Sequence, residues 1–263
     1  MWRVIALLVV PVAGFAQQTT FLKTSTGTEF AIKGGKKGTP APVLLVFAGA
    51  IAQTFAPNYD ALSERLVSQS GFMAVTLDIP CHGADQRPGE PPSLQGWRAR
   101  IEKRYNTIAA FTAKVSSVID YLVSEQYANL QRIYVAGTSR GGFLAFHAAA
   151  IDSRIRAVIA FAPVTELTEL QEFAGMENDA LTRSLSAVHL APRLAGRPIW
   201  MCIGNNDNRV GTDSAIRFSR RVVEAAVAAG AHPDIELVIS PSKGHTIAAD
   251  SHDRAAAWLL ARP

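Results

Sequence analysis

Serine is a poor nucleophile until a neighbouring base takes its hydroxyl proton, and one segment of this chain has the form that such chemistry requires. Gly137-Thr138-Ser139-Arg140-Gly141-Gly142 is a G-x-S-x-G match. It directly follows an apolar strand pattern at 132–136 and directly precedes a helical pattern at 143–150. A serine on so sharp a strand-to-helix turn sits in strained backbone with its hydroxyl lifted clear, and flanking glycines are needed where any Cβ would strike the strand or helix. The Arg140 amide, at the start of the helix, points toward an oxyanion developing on a carbonyl attacked by Ser139. A plain strand-to-helix turn with a capping serine is the competing reading, and strand–turn–helix context weighs against it.

A base must then come from the chain's six histidines. His147 falls inside the helix after the serine, His189 and His232 lie in an insertion and a turn, and His252 opens the last helix. His82 follows an earlier strand. His245 lies in the loop after the final strand pattern, 235–239, and is the best placed of the six. Its imidazole needs an acceptor to fix the tautomer and stabilise the charged form. Asp207 supplies one, closing Ile203-Gly204-Asn205-Asn206-Asp207 as the chain leaves another strand. Asp213 and Asp250 suit helix starts better.

Several elements must position these three residues. Apolar runs at 42–47, 72–77, 132–136, 155–161, 198–203 and 235–239 read as strands buried on both faces, and 20–24 with 29–33 as a hairpin. Helical periodicity recurs at 58–69, 108–125, 142–151, 213–229 and 251–260. Such alternation predicts an α/β fold: a mostly parallel sheet of roughly eight strands, helices on both faces, and an antiparallel hairpin at its start. Ligands bind beyond the carboxyl ends of the strands in sheets of this kind. Two long connections, 80–105 and 164–197, are expected to wall the pocket, the second as a small helical, cap-like insertion.

The chain order Ser139, Asp207, His245, each after a separate strand, resembles the α/β-hydrolase fold. Gly204-Asn205-Asn206-Asp207 and Gly244-His245-Thr246 are similar to compact bacterial serine hydrolases related to the prolyl oligopeptidase catalytic domain and to dienelactone hydrolase. Asp78-Ile79-Pro80-Cys81-His82-Gly83 resembles the same group's loop after the fourth strand, with Cys81 where glycine is usual. The resemblance implies a second oxyanion donor after the third strand. Here Ala48-Gly49-Ala50-Ile51 replaces the common His-Gly-Gly, so the role passes by position to the backbone of Ala50, with Ile51 as the alternative. Ile51 and Trp97 are also expected near substrate, and Phe173 and Met176 either line the pocket or pack the insertion against the body.

The activity implied is hydrolysis of small to medium carboxylic esters through an acyl-enzyme, with a peptidase or amidase of the oligopeptidase type second. Peptidases of that type usually carry a propeller domain, for which 263 residues leave no room. No metal or organic cofactor is called for, and activity is expected to rise with pH as histidine loses its proton, between about 6 and 8. A non-catalytic binding protein on the same fold is the rival, and a fluorophosphonate probe would separate the two. With 26 basic against 22 acidic residues, the chain offers no nucleic-acid surface. Met1-Trp2-Arg3, the apolar run 4–12 and Gly14-Phe15-Ala16 read as a signal peptide, residues 1–16, ahead of a single domain at 17–263. That implies export, to the periplasm or beyond, and no stable membrane association afterwards. Cys81 and Cys202 follow non-adjacent strands and are expected to be isolated buried thiols rather than a disulfide.

Overall fold

The computed structural model describes residues 18–262, so the expected signal segment lies outside the described residues. Eight strands form one sheet in the order β1-β2-β4-β3-β5-β6-β7-β8. β1 (Thr19–Lys23) and β2 (Glu29–Lys33) make the expected hairpin, and β2 pairs antiparallel with β4 (Met73–Thr76). From β4 onward every pair is parallel, through β3 (Ala41–Phe47), β5 (Ala128–Thr138), β6 (Ile155–Phe161), β7 (Ile199–Asn206) and β8 (Ile235–Lys243). This is the α/β-hydrolase arrangement that the sequence predicts.

The runs are mostly apolar because side chains alternate between two buried faces. Val43, Leu45, Ile133, Val135 and Val158 pack on one face beneath α3 (Ser93–Glu102), α4 (Thr107–Ser124), α5 (Arg140–Ile151) and α8 (Thr212–Ala228). Leu44, Tyr134, Ile159 and Trp200 pack on the other beneath α2 (Pro57–Ser70) and α9 (Ser251–Leu260). α1 (Ile51–Thr54) is a single turn directly after β3. Between β6 and β7 lie short 3-10 turns with α6 (Ala180–Ser184) and α7 (Ala191–Leu194), the expected helical insertion. Its Leu167, Leu170, Phe173 and Met176 are buried in the main core, so it packs as body rather than as a lid.

The connection 80–105 differs from the loop that its length suggested. It contains the ten-residue helix α3, which buries Leu94, Trp97 and Ile101, spaced three and four apart. Arg100, with 3% of its side chain exposed, ties the segment together. Its guanidinium donates to Asp85 Oδ1 at 2.5 Å, to the Asp85 carbonyl at 2.7 Å and to Glu90 Oε2 at 2.7 Å, while Lys114 reaches Asp85 Oδ2 at 2.7 Å. Burial alone pushes the Asp85 carboxyl up, but Lys114, the Cys81 amide and Arg100 outweigh it and hold it below its ordinary value. Arg100 does the same for Glu90. Folded values below the unfolded ones mean stability that is fully present above about pH 4 and lost as pH falls through the depressed values. Arg100→Met leaves Asp85 with Lys114 and the Cys81 amide, and Glu90 with the more distant Arg87 at 3.5 Å. We expect a loss of about 3–5 kcal/mol near neutrality and a shallower fall in acid, read from urea melts across pH.

Candidate active site

The turn between β5 and α5 has the geometry that its glycines announce. Ser139 adopts φ 55° and ψ −117°, left-handed for a residue with a side chain. A Cβ on Gly137 would stand 2.2 Å from Gly141 C, and one on Gly141 1.8 Å from the Phe47 carbonyl oxygen, so neither position admits another residue without backbone movement. The strained serine is held from both sides. Its N–H donates to Phe161 O at 2.8 Å, and its carbonyl accepts from Gly142 at 3.0 Å and Val164 at 3.1 Å. The Ser139 hydroxyl makes no hydrogen bond among the described residues and faces a cavity of about 320 Å³.

Asp207 leaves the end of β7 fully buried at its side chain. Its Oδ1 accepts the N–H groups of Arg209 (3.0 Å) and Val210 (3.2 Å), and its Oδ2 faces His245 Nδ1 at 2.8 Å. Burial favours the neutral carboxyl, yet the His245 contact and the two amides prevail and keep Asp207 below the usual carboxylate range. His245 lies just beyond β8, after Gly244 at φ 66°, a left-handed turn that brings the ring back over the strand ends. The imidazole lines the same cavity as Ser139. A hydroxyl on a strained turn and an imidazole held by a buried anion therefore face one cavity from three loops. That set can pass a proton from serine to histidine once the two come into hydrogen-bond contact.

On the oxyanion side the expected donors differ in what already engages them. The Arg140 N–H opens α5, where no intrahelical acceptor exists for it. The Ala50 N–H instead donates to its neighbour Gln53 Oε1 at 3.1 Å, and the Ile51 N–H to Asp78 Oδ1 at 2.7 Å. Both amides start α1, and side chains close by cap them; neither residue lines the serine's cavity. Ala50 and Ile51 are thus corrected as donors in this conformation, and Ile51 as a substrate contact.

Trp97 is corrected likewise. It is wholly buried and does not line the serine's cavity, with Nε1 donating to Pro80 O at 2.7 Å and its ring 6.3 Å from that of Phe143. Phe173 and Met176 pack in the core. Trp97→Phe keeps the packing but leaves that carbonyl one donor short. We expect a loss of about 1 kcal/mol in a denaturant melt, and an ester chain-length preference unchanged from wild type.

The other histidines find partners or packing. His147 is buried with Nε2 3.0 Å from Leu185 O, and burial pushes it down to about 4, so it stays neutral as a tie between α5 and the insertion. His82 Nδ1 lies 2.9 Å from Pro80 O. His252, at the opening of the last helix, packs on Phe161, rings 4.6 Å apart, and lines the cavity. Cys81 and Cys202 are free, and burial pushes each thiol up to about 11, which keeps both as unreactive thiols. Cys81 holds φ 59°, the conformation for which glycine is usual at that place. Among the described residues no three His, Cys, Asp or Glu side chains gather as a metal site, and no helix is long and apolar enough to cross a membrane.

Fold and site together define a serine hydrolase of the α/β-hydrolase type. The sequence matches the prolyl oligopeptidase family over residues 95–261, more than half of its length, and the chain belongs to that family. No curated protein sequence matches it significantly. Among solved structures, a Bacteroides ovatus protein described as a dipeptidyl aminopeptidase IV superposes with a TM-score of 0.68 at 17% identity. That likeness covers 96% of this chain but 37% of the other, so this chain spans little more than a third of the longer protein. A Thermus thermophilus protein gives 0.68 at 21% identity, covering 94% of this chain and 98% of its own. An esterase from Pyrococcus furiosus gives 0.65 at 16% identity, covering 94% and 93%. Esterases and peptidases thus share this fold.

Proposed function

We propose that this protein hydrolyses small to medium carboxylic esters through an acyl-enzyme on Ser139. One observation carries the reading: Asp207 holds His245 at 2.8 Å, and that imidazole and Ser139 line one cavity. Ser139 Oγ attacks the carbonyl carbon as His245 takes its proton, and the carbonyl oxygen becomes an oxyanion facing the Arg140 N–H. Collapse expels the alcohol, which leaves with the proton from His245. Water, activated by the same imidazole, then attacks the acyl-enzyme, and the acid departs as Ser139 regains its proton. Asp207 stays ionised throughout and stabilises the imidazolium.

A volume of about 320 Å³ sits at the small end of ligand sites and favours short substrates. The Pyrococcus esterase, matched over nearly its whole length, supports an ester over a peptide bond. The test is a p-nitrophenyl series from acetate to palmitate, and the expected optimum is acetate to hexanoate. Fluorophosphonate labelling without turnover of any ester would point to peptide and amide substrates. No labelling and no turnover would leave a binding protein on this fold.

Export is proposed from Met1–Ala16 alone. The full-length chain expressed in a bacterium is expected outside the cytoplasm, and N-terminal sequencing should begin at Gln17. A cytoplasmic product starting at Met1 would overturn it.

A further inference from the structure

Two arginines, Arg140 and Arg209, line the cavity over Ser139, with no Asp or Glu among its described lining residues, and the charge of the Arg140 side chain is felt by Tyr59 and Arg209 of that same lining. Arg209 is already matched, donating to Glu172 Oε2 at 2.7 Å and Oε1 at 2.5 Å. Arg140 is not. It forms no ion pair with a described carboxylate, and its Nε is buried without a hydrogen-bond partner. Glu172 is the acid whose charge it feels, but both oxygens of Glu172 are engaged by Arg209. Tyr59 and Asn58, both lining the cavity from α2, add neutral polar groups and no charge.

Arg140 is half-buried, and the part of its guanidinium withdrawn from water has lost hydration with no anion in return, which is costly. Proteins seldom keep one in a pocket unless a ligand completes it, and the planar fork suits a carboxylate held by two parallel N–H groups. Arg140 and Ser139 line one cavity, so a single small substrate can present both an anion to Arg140 and a carbonyl to the serine.

Resting on the serine-hydrolase reading, we propose that the cavity selects small esters bearing a second, ionised carboxylate, which binds the side chain of Arg140. The residue then has two separable parts: its backbone N–H faces the oxyanion, and its side chain sets specificity.

Two matched pairs of substrates test this with the full mature chain. For a carboxylate on the acyl side, mono-p-nitrophenyl glutarate is compared with p-nitrophenyl valerate. For one on the alcohol side, 4-acetoxybenzoate is compared with its methyl ester. In one pair the charged member is expected to have kcat/KM about 10- to 100-fold above its neutral match, the range for one charge-assisted contact. Arg140→Met should bring that ratio to about one, mainly through KM, and Arg140→Lys should restore part of it.

Equal kcat/KM within both pairs for the wild type would overturn the proposal while leaving the hydrolase reading intact. So would a fall in Arg140→Met that strikes charged and neutral esters alike, which would mark the side chain as a general aid to the transition state. Should Arg140→Met fail to fold, the wild-type ratios and Arg140→Lys still decide. Absence of both turnover and fluorophosphonate labelling is a different result, in which the hydrolase reading and this inference fall together.

Discussion

Ser139→Ala is expected to lower kcat on the best p-nitrophenyl ester by about 10⁴- to 10⁶-fold and to abolish fluorophosphonate labelling, with stability within about 0.5 kcal/mol of wild type. The substitution removes one oxygen and little else. That hydroxyl makes no hydrogen bond among the described residues, whereas the bonds that hold the turn run through the serine's own N–H and C=O, which alanine retains. The strain at φ 55° is common to both residues. Folding and cavity shape should therefore survive while the covalent route closes. What persists is catalysis from binding and oxyanion stabilisation alone, which in triad hydrolases is still about 10³–10⁴ above water. Steady-state kinetics on freshly purified protein check the rate, and a thermal melt checks the fold. A fall of less than tenfold would mean that another group, or water, performs the attack.

The elements bearing this chemistry were legible for a simple reason. A parallel strand covered on both faces is apolar along its buried stretch, so β3, β7 and the buried stretches of β5 and β6 stand out as apolar runs ending in turn residues. Ser139 and Asp207 follow such ends and His245 follows the half-buried β8, so chain order and spacing can be read in one dimension. The elbow adds its own signature, because glycine at 137 and 141 is a steric demand of the backbone alone.

What escaped the sequence depends on side chains meeting across the fold. The α3 helix hid behind Pro88-Gly89-Glu90-Pro91-Pro92, whose turn chemistry masks the spacing of Leu94, Trp97 and Ile101. Trp97 looked like a pocket aromatic because nothing in the chain announces that Pro80 O will take its indole N–H. Ala50 was placed correctly in order along the chain, yet its amide serves Gln53, a choice made by a rotamer. The two arginines of the cavity are 69 positions apart, from 140 to 209, and only the return of β7 beside β6 brings them together.

The second large effect is expected at Asp207, and it separates charge from shape. Asn has the size of Asp, and its Oδ1 can still accept the N–H groups of Arg209 and Val210, so the turn after β7 should keep its form. Its other terminus is an N–H donor. Facing a donor, His245 Nδ1 must become the acceptor and the proton moves to Nε2, which then cannot receive one from Ser139. We expect Asp207→Asn to lower kcat by about 10⁴-fold with a nearly unchanged melting temperature. Asp207→Ala removes the acceptor for both amides as well and should lose a further 2–4 kcal/mol or so of stability. Acid offers the same experiment without mutation. Because Asp207 is held below its ordinary value, its contribution to stability is complete above about pH 4 and disappears only as pH falls through the depressed value. The wild type should accordingly lose stability across that acid range more steeply than Asp207→Asn, whose amide does not titrate. Parallel curves for the two proteins would show that the carboxylate's charge adds nothing to holding the loop, and would leave its orientation of His245 as its sole service.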